Sequence, residues 1–250
     1  MSLTRLLLAC GIAGAAFFFA MDWVASFWLY PGYDYTAQQV SELSAIGAPS
    51  RDFWMAMGFP YAALSFAFAH GVWRSSAGRT RLTITAVLLA LFALNSLVWG
   101  WVAPMHMRGV AFSATDTMHI ALTVVAVVLM VMFMAIGATA FGRGFRIFTG
   151  LTIAAMLVAG GVVGTQVPAI AQGLETPWMG LVERVSVYAP SLWITVLAVI
   201  LLRESATAPI ATTGRCAHSP TPPPDSPVYL ARIARECGAP GGEQSRPARN

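Results

Sequence analysis

The sequence predicts an all-α fold: a polytopic integral membrane bundle of six transmembrane helices, with one short interfacial helix in its first outer loop. Three observations predict it. Of the 250 residues, 57% are hydrophobic and only 10% are charged, with a mean hydropathy of +0.66. Soluble domains carry charge on about a quarter of their residues. Six apolar runs are each long enough, at about 1.5 Å per helical residue, to cross roughly 30 Å of hydrocarbon. Finally, the charges between these runs sort by sign, acids in one set of alternate gaps and arginines in the other.

The runs are helical because an isolated strand in lipid leaves its backbone polar groups unpaired. The first spans about 6–30. It is too long for a cleaved signal peptide, whose apolar core is roughly 7 to 15 residues. Asp22 lies two thirds of the way across it and belongs either to a proton path or to a hydrogen bond from Asn95 on the third span. In the loop that follows, Thr36 and Gln39 stand in capping-box relation. Val40, Leu43 and Ile46 recur at helical spacing, and Gly47 with Pro49 gives a stop. This predicts an interfacial helix over Ala37 to Ile46, its apolar face in the membrane surface and Ser41, Glu42 and Ser44 toward water or the bundle mouth.

The second span, about 53–72, contains Pro60, which removes one backbone donor, and His70 near its inner end, read as a hydrogen-bonded or interfacial histidine rather than a haem ligand. The third and fourth run over about 82–102 and 118–141. The fifth, about 147–167, carries Gly160 and Gly164, a small-xxx-small pair expected to mark close helix packing. The sixth, about 185–202, contains Pro190. Residues 1–203 thus form one transmembrane domain. Residues 204–250 are rich in Pro and Arg and read as a disordered cytoplasmic tail. Cys10 lies in a span and Cys216 and Cys237 in the tail, so neither disulfide nor metal spacing is present.

The chain has no lysine, so orientation rests on arginine. Arg5, Arg74, Arg79, Arg81, Arg143, Arg146 and Arg203 lie at one end of the spans, against Arg51, Arg108 and Arg184 at the other. This places both termini in the cytoplasm of a bacterial cell, with the protein multi-pass in the inner membrane. Trp23, Trp28, Trp54, Trp99, Trp101, Trp178 and Tyr30 fall at the outer interface, where amphipathic rings are at home. Membrane lipids are the expected partners, and the net charge of +4 needs no nucleic acid to explain it. The oligomeric state is not decided by the sequence.

Seven of the eight acids up to Glu204 lie at the outer end: Asp22, Asp34, Glu42, Asp52, Asp116, Glu175 and Glu183. Charges at span ends have either a structural partner or a functional task. On a helix Asp116 and His119 share a face, and His106 lies in the adjoining loop at the same depth. Ser41, Glu42, His106, Asp116, His119, Glu183 and Arg184 are therefore the candidate pocket. Two histidines and one carboxylate are sufficient in kind to hold a divalent metal. Capping of the fourth span by Asp116, or its hydrogen bond to His119, is the commoner use of such residues, and no HxxxH or HExxH is present. No cofactor is therefore expected, and His106, Asp116 and His119 remain the ligands of the metal alternative.

Pro31-Gly32-Tyr33, Ser41-Glu42-Leu43, Gly47-Ala48-Pro49, Thr117-Met118-His119-Ile120 and Met179-Gly180-Leu181-Val182-Glu183-Arg184 resemble the bacterial six-span membrane family catalogued as domain of unknown function 998, over about Leu6 to Leu202. The resemblance implies a six-helix integral membrane fold and puts Ser41, Glu42, His119, Glu183 and Arg184 at polar motif positions. It supplies no reaction. Asp34-Tyr35 departs from the family pattern, which has Ser-His there. The functional expectation is an outward-facing polar pocket that binds or transports a small solute or lipid headgroup, with Arg184 as anion partner and Asp22 available for proton coupling. The alternatives are a metal-assisted membrane hydrolase acting on a lipid, with Glu42 as general base, and a non-catalytic accessory membrane protein.

Overall fold

Six long helices follow one another in a computed structural model that describes residues 2–207. They are α1 (Leu3–Val24), α2 (Arg51–Arg74), α3 (Thr80–Val102), α4 (Ala114–Ala138), α5 (Arg143–Ala171) and α6 (Met179–Thr207). A π turn, Ala25–Leu29, continues α1, and a 3-10 helix, Val40–Ser44, sits in the first long loop. The described residues contain no strand. One isolated backbone bridge joins Ile46 to His106. Residues 204–207, expected to open a disordered tail, instead continue α6, and the rest of that expected tail, with Cys216 and Cys237, lies outside the described residues.

Among the described residues, five helices are long and apolar enough to cross a membrane: α1 with its π turn, and α3 to α6. α2 matches them in length, about 36 Å at 1.5 Å per residue, but Arg51, Asp52, Pro60, His70 and Arg74 make it less apolar. It nonetheless packs between α1 and α3. α4 lies against α3, α5 against α6, and α6 closes back onto α1.

Three boundaries differ from the sequence reading in a way that matters for the site. α4 starts at Ala114, one turn early, because Ser113 and Asp116 form a capping box. α5 continues to Ala171. α6 starts at Met179, so Glu183 and Arg184 are inside the helix instead of ahead of it. Charges suggest a helix boundary only while they have no partner, and these two have partners.

The main core runs along the helices, with Leu8, Phe68, Leu82, Phe133, Trp193 and Leu197 among its buried members. The Trp193 indole N–H donates to Thr149 Oγ1 at 2.8 Å, so this fully buried ring leaves no polar group unpaired. Close helix approach occurs at Gly71, where an added Cβ would lie 2.9 Å from the backbone of Leu7 and Leu8. Gly160 and Gly164 do not serve that purpose, since nothing lies within 4 Å of a Cβ at either.

Candidate functional site

The polar residues of the acid-rich end fasten the loop 31–50 across the mouth of the bundle. Of its expected apolar face, Val40 and Leu43 turn inward while Ile46 stays 40% exposed. Val40 and Leu43 are buried against Ala25, Phe53, Trp54 and Val187, which belong to the π turn, α2 and α6. The interfacial helix expected over Ala37 to Ile46 is therefore shorter and tighter, and its apolar face plugs the bundle. Its capping box is built from Gln39 and Glu42, while Thr36 turns back to Asp34, donating to Oδ1 at 2.6 Å. That bond, with others from the Thr36 and Ala37 amides, holds the Asp34 carboxyl below the usual range.

The first turn and a half of α6 is the seat of this cap. Trp178, just before the helix, adopts a left-handed conformation with φ of 66°, unusual for so large a residue. Gly180 then allows backbone to touch backbone. A Cβ there would lie 2.6 Å from the Tyr35 carbonyl oxygen, 3.0 Å from that of Thr36 and closer still to that of Gln38. The Leu181 N–H, unsatisfied within its own helix, donates to the Thr36 carbonyl at 3.2 Å. Glu183 accepts from the Val40 amide and, at 3.2 Å, from the Ser41 hydroxyl. A carboxylate at the start of the 3-10 helix meets its free N–H groups and positive end.

Arg184 completes the seat. Its guanidinium grips Asp22 of α1 in two-pronged fashion, Nε to Oδ2 and NH2 to Oδ1, both at 2.9 Å. NH1 donates to the carbonyls of Tyr35 at 2.9 Å, Gly180 at 3.2 Å and Gln38 at 3.4 Å, and NH2 also reaches Ser26 and Tyr33. The Tyr35 ring stacks 3.5 Å from the guanidinium carbon. Every arm of the fork is thus occupied. Arg184 is 3% exposed and Asp22 is fully buried. Asp22 accepts as well from Ser26, carried by the π turn, and from the Tyr188 hydroxyl. Its partner is therefore Arg184 rather than Asn95, whose side-chain nitrogen is buried without a hydrogen bond. Tyr33, half-buried within the loop, donates to the Gln38 and Gln39 carbonyls, and desolvation pushes its phenol pKa up.

A second arginine–carboxylate fork joins the loops to one another. Arg108, between α3 and α4, binds Glu42 through Nε at 2.9 Å and NH2 at 2.6 Å. It also donates to the Ala37 carbonyl and to Thr176 in the last loop, each at 3.3 Å. Glu42, which was expected to face water or a pocket, has a side chain only 2% exposed, whereas that of Arg108 is 23% exposed. The bond to Glu42 raises the already high pKa of Arg108. Arg51, the third arginine at this end, donates to the carbonyls of Ser44 and Gly100. The three arginines that run against the charge sorting all hold the cap.

Asp116 serves α4 and the preceding loop. It accepts from the Ser113 amide at 2.9 Å, the Ser113 hydroxyl at 2.8 Å and the His106 amide at 2.7 Å, and its Oδ2 lies 2.9 Å from His106 Nδ1. It thus orients His106 and not His119. The His119 ring meets α3 instead, with Nδ1 at 2.9 Å from both the Trp99 indole nitrogen and the Ala103 carbonyl. One nitrogen accepts from Trp99 or donates to Ala103, and cannot do both. Among the described residues, no group of three or more His, Cys, Asp or Glu side chains is placed to hold a metal ion.

The candidate residues therefore separate into three networks: Asp22 with Arg184, Ser41 and Glu42 with Glu183 and Arg108, and His106 with Asp116. His119 stands apart on Trp99. Arg108, Tyr33, Thr176 and Tyr188 were not singled out by the sequence. For Arg108 a signal existed, since an arginine in an acid-rich gap needs an acid. No curated protein and no solved structure matches the chain. The model of the family described as protein of unknown function (DUF998) matches residues 12–200, and the chain, a helical membrane protein by its composition and fold, belongs to that family.

Proposed function

We propose that this chain is a six-span bacterial inner-membrane protein, both termini cytoplasmic, that receives a small anionic solute or a lipid headgroup at its outer face when the 31–50 cap opens. The observation that supports this most is the position of Arg108. It bonds to the first and last outer loops from the middle one, and it remains partly exposed while its carboxylate partner is buried. A carboxylate or phosphate offers the same pair of oxygens as Glu42. Exchange at Arg108 would release the 3-10 helix, while the saturated Arg184 keeps the base of the cap in place. Arg184 thus acts as an anchor, and Arg108 takes the role of anion partner.

Thermal-shift titration of the detergent-purified protein with glycerol phosphate, dicarboxylates and short-chain anionic lipids tests this. An anion should raise Tm, the response should vanish in Arg108→Gln, and Glu42→Gln should bind about tenfold tighter because the competing carboxylate is gone. If no anion shifts the wild-type Tm, the binding reading fails and a non-catalytic accessory role takes its place.

One observation favours the hydrolase as a second reading. Asp116 fixes His106 through Nδ1, which leaves Nε2 as the ring nitrogen free to act as base or ligand, on a side chain 29% exposed. Stoichiometric zinc or manganese in purified protein, lost in His106→Ala, would establish it. Metal retained in that variant would sink it.

A further inference from the structure

At the opposite end of the helices, two arginines meet over a turn. Arg81, at the start of α3, donates through NH1 to the Thr139 carbonyl at 2.7 Å, and Arg146, in the first turns of α5, donates through NH2 to the same oxygen at 3.3 Å. Arg146 Nε takes the Phe141 carbonyl at 3.1 Å. Two guanidinium groups thus lie side by side over the turn between α4 and α5, held among the described residues by neutral carbonyls. The contrast with the other end is sharp, since Arg108 and Arg184 each grip a carboxylate. The ion pairs among the described residues do not include Arg81 or Arg146, and the acid at this edge, Glu204, pairs with Arg79. The first turn of α5 carries no acid either, and Arg143 adds a third exposed guanidinium.

Two adjacent positive charges repel unless an anion lies between them. Most of their N–H groups are still available, one of the five on Arg81 and two of those on Arg146 being used. We infer that Arg81 and Arg146, with Arg143, form a binding site for the phosphate of an anionic membrane lipid. Forked guanidinium donors match phosphate oxygens, and basic clusters at the ends of membrane helices are where such headgroups are held. The source is a lipid because α5 carries exposed apolar side chains in line with Arg143 at helical spacing: Ile147 at 53% and Leu151 at 68% exposure. An acyl chain would lie along these residues while its phosphate sits at the arginines.

The test titrates the full chain, in neutral detergent, with phosphatidylglycerol, phosphatidylcholine and inorganic phosphate, following Tm and, by native mass spectrometry, retained lipid. Phosphatidylglycerol should raise Tm and stay bound, and the other two should do neither. The Arg81→Gln/Arg146→Gln variant should shift the midpoint by about tenfold or more, read against its own Tm before lipid is added. The Arg81→Lys/Arg146→Lys variant, which keeps charge but loses the fork, should fall between. Arg74→Gln at the same edge, where Arg74 is bonded to Thr4, should behave as wild type. Equal response to phosphatidylcholine, an equal response to inorganic phosphate, or an Arg74→Gln loss as large as that of the double variant would overturn the proposal.

Discussion

Replacing Gly180 by alanine adds one methyl group where the cap rests on α6. The new Cβ would lie 2.6 Å from the Tyr35 oxygen, 3.0 Å from that of Thr36 and nearer still to that of Gln38. These are backbone atoms, so no side chain can swing aside, and the cap must lift. Overpacking of this kind costs about 1–3 kcal/mol. Lifting also stretches the Leu181 amide bond to Thr36 and the Arg184 bonds to Tyr35 and Gln38, each worth about 1 kcal/mol or more. A total of about 4 to 6 kcal/mol follows, which in a chain of this length lowers Tm by roughly 8 to 24 °C. Thermal unfolding in detergent, read by tryptophan fluorescence, measures it. Gly144→Ala is the control, because a Cβ there meets open space and alanine favours the helix. A Gly180→Ala protein that melts within about 1 °C of wild type would refute the seating of the cap on α6.

Arg184→Gln should cost about 3–5 kcal/mol, because it leaves Asp22 buried without a counter-charge. The Asp22→Asn/Arg184→Gln double variant should recover part of that loss, and a double-mutant cycle by denaturation showing no coupling would contradict the pair. Asn95→Leu removes a buried amide nitrogen that has no partner and should raise stability by about 1 kcal/mol; a fall in Tm would mean the amide is satisfied after all. The depressed Asp34 pKa contributes stability that is present above the usual carboxylate range and is lost as pH falls through the lowered value. Thr36→Val should therefore lower Tm above that range and shrink its fall at acid pH, and an unchanged profile would show that the Thr36 hydroxyl does not hold Asp34.

The membrane class, the number and order of helices and the sorting of charge to two ends were all determined by sequence alone. Each rests on local quantities: the length of an apolar run against the thickness of hydrocarbon, and the sign of the residues that end it. The partners were decided by tertiary structure. Asp22 and Arg184 are 162 residues apart, and Glu42 and Arg108 are 66 apart. Nothing in the sequence near either carboxylate names its arginine. The same acids that suggested an open pocket are consumed in holding a loop shut, because a charge carried into a bundle is stable only with its complement beside it. Which complement arrives depends on how the loops at the acid-rich end fold over the helix ends. Gly180 shows the same division: its place in the Met179 to Arg184 motif is plain from sequence, while the reason for it, three carbonyl oxygens from a loop about 140 residues earlier, exists only once the chain has folded.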